Sequence, residues 1–237
     1  MHYSHISEGI FLNRPNRFIA HVEIAGKVEI CHVKNTGRCR ELLIPGSKVY
    51  LEKGKNPLRK TPYDLIAVEK IRPDQEVLLI NMDSQIPNDA AEEFLRKGTL
   101  FPADSHIRRE VQYGSSRFDF QITTPDGTVT YLEVKGVTLE QQGIALFPDA
   151  PTERGVKHLQ ELTRCIENGF CGAVLFVIQM KGIKLFRPHD RMHPAFGEAL
   201  RQAQKAGVRL YAMDCNVTAG SIEIDSPVAI DLTPEGS

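Results

Sequence analysis

Asp119, Glu133 and Lys135 are the residues of this sequence whose types and spacing most directly suggest chemistry. Glu133 and Lys135 are two apart on an alternating stretch, so they share one side of a strand. Facing residues on one side of a sheet have Cβ atoms about 4.5–5.5 Å apart, where like charges repel. A divalent cation held by Asp119 and Glu133 would offset that repulsion, and Mg²⁺ accepts one or two carboxylates completed by water and phosphate oxygens. The bland alternative is two solvated strand carboxylates compensated by Arg117 and Lys135.

What must position these groups is a hairpin, RFDFQITTPDGTVTYLEVK, from Arg117 to Lys135. Pro125 presets φ for a type I turn and Gly127 suits the left-handed residue that follows it, which predicts a short loop with Thr124 paired to Thr128. Asp119 then falls opposite Glu133, and Arg117 faces Lys135. The other face collects Phe118, Phe120 and Ile122 against Val134, Leu132 and Thr130, a set that a one-residue slip would invert.

A chain of 237 residues with 41% hydrophobic and 25% charged residues is long and apolar enough to bury a core, which excludes a disordered chain. Its net charge of −1 hides a division: residues 1–60 carry an excess of +6, and the remainder −7. A basic part suggests a footprint for a polyanion, or simply a solvated surface. Cys31, Cys39, Cys165, Cys171 and Cys215 show no C-x-x-C or zinc spacing, as expected of free thiols in a reducing cytoplasm. MHYSHISEGI lacks the pattern of a secretory leader. The longest apolar run, AVLFVI, is too short to cross a bilayer.

From residue 17 to about 82, strands are expected at 18–24, 27–34, 47–52, 63–71 and 76–81, which suggests an OB-like β-barrel. Arg14, Arg17, Lys34, Arg38, Arg40, Lys48, Lys53, Lys55, Arg59 and Lys60 cluster around it. Candidate stacking aromatics are fewer: Tyr50, Tyr63, Phe11 and Phe18. Phosphate-backbone contacts without strong sequence reading are the expectation, with DNA, single- or double-stranded, as partner. A carbohydrate-binding OB module is a third class that no residue excludes.

The expected division is residues 1–84 for the barrel and 85–237 for an α/β unit with a mixed sheet flanked by helices. That unit reads as a helix from about Asn88 to Gly98, strands at 106–113 and through the hairpin, and a long loop over 138–152. A helix capped by Thr152 follows, with Val156, Leu159, Leu162 and Ile166 as its buried stripe. The run Cys171 to Met180 reads as a buried central strand, ahead of a helix from Pro194 and a strand from Val208. Glu93 and Glu110 are further carboxylates for the metal. His189 and His193 form a rival pair, weak for want of a third ligand.

This order, with Asp on the second strand and E-x-K on the third, resembles the PD-(D/E)XK nuclease core over about residues 85–215, although Arg117-Phe118 stands where Pro often precedes the Asp. Two longer strings, NTGRCRELLIPG at 35–46 and FPDAPTERGVKHLQEL at 147–162, resemble signature segments of the sugar fermentation stimulation protein A family. That family implies an OB-like N-terminal domain, a restriction-endonuclease-like C-terminal domain, DNA binding, and a role in regulating sugar, particularly maltose, metabolism.

Carried over, the nuclease resemblance makes Asp119 and Glu133 ligands of Mg²⁺ or Mn²⁺, with Lys135 positioning or deprotonating the attacking water. Arg154 and Lys157 would hold phosphate, as would Arg17, Lys34, Asn35, Arg38 and Arg40 on the barrel. The functions implied are a metal-dependent nuclease or a DNA-binding regulator without turnover, and a homo-oligomer is compatible with either.

Overall fold

The computed structural model describes residues 1–237 except 36, 55, 57 and 235–237, so Lys55 lies outside the described residues. Six strands come first: β1 (Ile6–Asn16), β2 (Ile19–Ile24), β3 (Lys27–Val33), β4 (Lys48–Lys53), β5 (Tyr63–Ile71) and β6 (Val77–Asn81). Their order is β3-β2-β1-β4-β5-β6, and a parallel pairing of β3 with β5 closes the first five strands into a barrel.

The strand expected to begin this barrel is its second. β1 is hidden in the sequence because Gly9 and Pro15 interrupt its apolar alternation. Yet Gly9 is what lets β1 pass close to β2: a Cβ there would sit 2.5 Å from Val22 Cγ1 and 2.8 Å from the Glu23 carbonyl oxygen. The five expected strands are therefore β2 to β6, and β6 extends the sheet beyond the closed barrel.

The second unit runs α1 (Ile86–Arg96), β7 (His106–Tyr113), β8 (Ser116–Thr123), β9 (Val129–Val137), β10 (Leu139–Gln141), β11 (Ile144–Phe147), α2 (Glu153–Glu167), β12 (Cys171–Ile178), β13 (Leu185–Pro188), α3 (Pro194–Lys205), β14 (Arg209–Thr218), β15 (Ser221–Pro227) and β16 (Ala229–Ile230). Its main sheet has the order β15-β14-β12-β9-β8-β7, with β12 parallel to both β9 and β14. Alternation along β12 feeds two cores. Ala173, Leu175 and Val177 pack on the α1 side with Ala91 and Phe94, while Val174, Phe176 and Ile178 join Leu159, Leu162 and Leu200 of α2 and α3. That second cluster continues into the barrel through Val33, Leu65 and Met82.

The stretch expected as a loop over 138–152 instead contains β10 and β11, an antiparallel pair turning at Gln142 and Gly143, both at positive φ. β11 then runs parallel to β13, forming a second, four-stranded sheet. These strands are three and four residues long, too short for alternation to register against the noise of sequence. Thr152 caps α2 as expected, its hydroxyl accepting the Gly155 N–H at 3.1 Å. No described helix is long and apolar enough to cross a membrane. All five cysteines are free thiols.

The hairpin takes the expected register, with Phe120 paired to Leu132 and Thr123 to Val129. The Thr124 N–H donates to the Thr128 carbonyl at 3.0 Å and Gly127 adopts φ +85°. Beyond Phe120 the pattern departs from expectation. The ladder to β9 stops there, and the ladder to β7 skips the Glu110/Asp119 position. Glu110 has φ +55°, an uncommon conformation for a non-glycine residue. Alternation changes phase across this break, so Phe118 packs on the α2 side while Phe120 and Ile122 pack on the α1 side.

Candidate metal and nucleic-acid site

The break in the ladder gives Asp119 its role. Its Oδ2 accepts the Val134 N–H at 2.7 Å, taking the place of a strand acceptor, and its Oδ1 accepts from Asn88 Nδ2 of α1 at 2.8 Å. Glu133, only 4% exposed, accepts from Lys135 Nζ at 2.6 Å and from His158 Nδ1, both through Oε1. Glu133 Oε2 is buried without a hydrogen-bond partner.

These surroundings drive the two carboxyls apart. Burial, then the charge of Glu133, pushes Asp119 up to about 6 against the pull of the Val134 N–H, Lys135 and Asn88. Burial also pushes Glu133 up, but the His158 hydrogen bond and Lys135 together outweigh it and hold this carboxyl below its ordinary value. A pair of acids so divided is a recurrent property of sites that handle protons or charge.

The donor set fits a hard divalent cation. Asp119 lies near enough to Glu133 to feel its charge, Glu133 Oε2 is an unused acceptor, and each Asp119 oxygen has a second lone pair beyond its single hydrogen bond. Among the described residues no group of three His, Cys, Asp or Glu side chains is placed to hold a metal, so the remaining ligands would be water and phosphate oxygens. Glu93 is held by the Met1 ammonium at 2.6 Å, and Glu110, opposite Asp119 at the break in the ladder, by Arg117 at 2.8 Å. His189 faces the Pro148 carbonyl at 3.2 Å, and His193 Nδ1 accepts the Thr152 N–H at 3.3 Å, so the two histidines serve the approach to α2.

Two neighbours of the site are ones the sequence reading passed over. His158 lies outside the stripe of Val156, Leu159, Leu162 and Ile166 expected for α2, yet it is 4% exposed. It falls one residue before Leu159 and four before Leu162, and that place on the buried stripe was the available signal. Arg154 Nε donates to His158 Nε2 at 3.4 Å, which leaves Nδ1–H to donate to Glu133. Asn88 was read only as a helix start, and nothing in its local sequence distinguishes the two roles. Lys157 Nζ donates to the Ser115 carbonyl at 2.9 Å on the exposed side of α2.

The barrel residues divide into those facing solvent and those turned inward. Arg14 organises the 35–40 segment, donating to the carbonyls of Gly37 and Arg38 at 2.8 Å, Arg17 at 2.7 Å and Asn35 at 2.6 Å. Around it Arg17, Arg38 and Arg40, all exposed, border a cavity of about 570 Å³ floored by Phe11, Leu43 and Pro45. The Arg17 guanidinium lies 4.8 Å from the centre of the exposed Phe18 ring. Asn35 is spent on structure, donating to the Met82 carbonyl and accepting the Gly37 N–H. Lys34 points inward, 3.3 Å from Asp83, 3.7 Å from Glu52 and 3.8 Å from Asp64.

Comparison with known proteins covers both halves. The sugar fermentation stimulation protein RE domain matches residues 85–221, and the SfsA N-terminal OB domain matches residues 12–83. A sugar fermentation stimulation protein homolog of Desulfitobacterium hafniense (strain DSM 10664 / DCB-2) is 54% identical over 98% of this chain and 99% of its own length. The homolog from Ruminiclostridium cellulolyticum is 50% identical over 98% of this chain and 100% of its own. The solved structure of Pyrococcus furiosus SfsA in complex with Ca²⁺ superposes with a TM-score of 0.86 at 28% identity, covering 98% of each chain.

Proposed function

We propose, from the premise that this chain belongs to the sugar fermentation stimulation protein family, that it binds DNA through its barrel and hydrolyses phosphodiesters at the hairpin with Mg²⁺ or Mn²⁺. The observation that carries this reading is the pair Asp119 and Glu133, with divided pKa values, an unused buried oxygen on Glu133 and Lys135 alongside. A binding surface alone gains nothing from burying such a pair. The Ca²⁺ of the Pyrococcus furiosus relative supports a divalent ion as the resident cofactor.

The division of labour follows from placement. Residues 1–84 act as the capturing domain: Arg17, Arg38 and Arg40 take backbone phosphates, an interaction that weakens steeply with salt. Residues 85–237 carry the hydrolytic site, where Arg154 and Lys157 on exposed turns of α2 hold flanking phosphate. Asn88 and the Val134 N–H fix Asp119, and His158 and Lys135 fix Glu133, so that both carboxylates present oxygens to one place. A divalent ion bound there supplies Lewis acidity and lowers the pKa of water. Lys135, whose Nζ donates to Glu133, neutralises negative charge developing on the phosphoryl oxygens.

The test is incubation of purified protein with labelled single- and double-stranded DNA in Mg²⁺, Mn²⁺ or EDTA, beside Asp119→Ala and Lys135→Ala. Cleavage that needs the metal and disappears in both variants supports hydrolysis. Capture of DNA without cleavage under any condition, unchanged in both variants, would leave a non-catalytic regulator instead.

A further inference from the structure

Between the barrel and the second unit lies a cleft of about 350 Å³ that the hydrolytic reading does not use. Gly37 and Asn35 line it from the barrel, and Gly136, Asp149, Thr152 and Gln179 from the other side. Its position is informative at both ends. Gly37 also borders the arginine-lined cavity, and Gly136 directly follows Lys135. Gly37 thus joins the cleft to the arginine-lined cavity.

The cleft has the size, and on one side the apolar wall, that a single planar ring needs. A Cβ on Gly136 would stand 2.6 Å from Gln179 Oε1 and 2.7 Å from Pro87 Cγ, and a Cβ on Gly37 would stand 2.7 Å from Asp149 Oδ2, so the two glycines let the backbone close on these side chains at the edges of the cleft. Phe147, held against Phe196 at 5.1 Å and Phe176 at 5.9 Å between ring centres, contributes with Pro148 an apolar wall. The volume falls near the lower end of small-ligand pockets, roughly 300–1,000 Å³, which suits one nucleotide and excludes a duplex.

Asp149 is the group left over. Gln179, 1% exposed, commits its amide nitrogen to Asn81 and to the Asp83 carbonyl, and Asn35 is spent within the barrel. No cation and no side-chain donor meets the Asp149 carboxylate among the described residues. Burial raises its pKa, opposed only by the backbone N–H groups of Asp149 and Ala150. A carboxylate is an acceptor at both oxygens and is matched best by two adjacent N–H donors. Among the DNA bases only guanine carries two on one edge, N1–H and the N2 amino group. Thymine offers a single N3–H between two carbonyls, and cytosine and adenine a single amino group beside acceptors.

We propose that this cleft receives one unstacked nucleotide of the bound strand and that Asp149 selects guanine by accepting from its N1–H and N2 amino group. Unstacked bases are read in this way, on their Watson–Crick edges between apolar walls. The inference rests on the DNA-binding reading, and it names the base specificity which that reading lacks.

Calorimetric titration of the full chain, in EDTA, with dGMP, dIMP, dCMP and TMP tests it without turnover. Expected is dGMP at least tenfold tighter than TMP, dIMP between them for want of the N2 amino group, and loss of the dGMP advantage in Asp149→Asn. Equal affinities, no dGMP binding at millimolar concentration, or an unchanged ranking in Asp149→Asn would overturn it. The wild-type ranking decides the matter should the variant fail to fold. Salt-sensitive capture of a long DNA, measured on the same preparation, tests the broader reading separately. Capture without nucleotide discrimination overturns the guanine site alone, and discrimination without capture upholds the site and removes the broader reading.

Discussion

Lys34 and Lys135 are each set among carboxylates, one in the barrel and one on the hairpin, and the two settings differ in what they do to those carboxyls. In the barrel, Lys34 shares Asp64 with Arg59, which donates to it at 2.9 and 2.6 Å, and with His32 at 3.0 Å. Burial pushes the Asp64 carboxyl up, but Arg59, His32 and Lys34 together hold it below its ordinary value. On the hairpin, Lys135 and His158 both converge on a single oxygen of Glu133, leaving Oε2 alone and Asp119 raised. Buried charge is thus common to both. An unpaired buried acceptor is common to both as well, Asp83 Oδ2 beside Lys34 and Glu133 Oε2 beside Lys135. What sets the hairpin apart is a second carboxyl, Asp119, held raised beside the depressed Glu133.

Substitutions in the two clusters should therefore fail in different ways. Lys135→Ala should slow metal-dependent cleavage by roughly 10²–10⁴-fold, the range for a positioned catalytic group, with the unfolding midpoint in urea nearly unchanged. If Lys34→Ala slows cleavage per folded molecule as much, the distinction collapses. Asp64→Ala should instead act on stability, costing about 3 kcal/mol by leaving Arg59 and Lys34 without their shared partner, read from urea denaturation.

The pH dependence should run in opposite senses. Asp119 has a folded-state pKa raised to about 6, so between the ordinary carboxylate range and that value the native state binds the extra proton. Metal-free protein should gain stability as the pH falls from 7 towards 4, by no more than about 3 kcal/mol from this group, and Asp119→Asn should remove that gain. Asp64 is depressed, so its contribution is full above the ordinary Asp pKa and is lost as the pH falls through the lower folded value. A stability profile of Asp119→Asn identical to wild type between pH 7 and 4 would mean that the hairpin carries no such tension. The smallest effect belongs to the open arginines: Arg38→Ala should reduce the slope of log affinity against log salt by about 1, with little change in stability.

The hairpin register was legible because turn chemistry and apolar alternation are both local, and Pro125, Gly127 and the Phe120–Leu132 pairing speak to the same answer. The Thr152 cap of α2 and the buried run of β12 were legible for the same reason. The phase change at Asp119 was not, because it is set by neighbours on both strands and by Asn88 from a distant helix. Nor was the inward turn of Lys34. A lysine's sequence context says that it is charged, and only the positions of Glu52, Asp64 and Asp83 decide where the ammonium goes. β1 was lost to its own glycine, a residue that weakens a strand pattern and here permits the strand's closest approach.

The apolar cluster that runs from Phe11 and Leu65 of the barrel through to Leu159 and Phe196 also bears on how the molecule comes apart. Asn81 and Gln179 reinforce that continuity, the backbone N–H of Asn81 donating to the Gln179 carbonyl at 2.9 Å and the Gln179 amide returning to Asn81. Heat should melt both parts in one calorimetric transition, and a chain cut near residue 84 should yield two fragments that each present a wet, sticky half of what was interior. Capture and cutting, if carried by the two parts, are then sold as one article: the cell cannot destabilise one and keep the other.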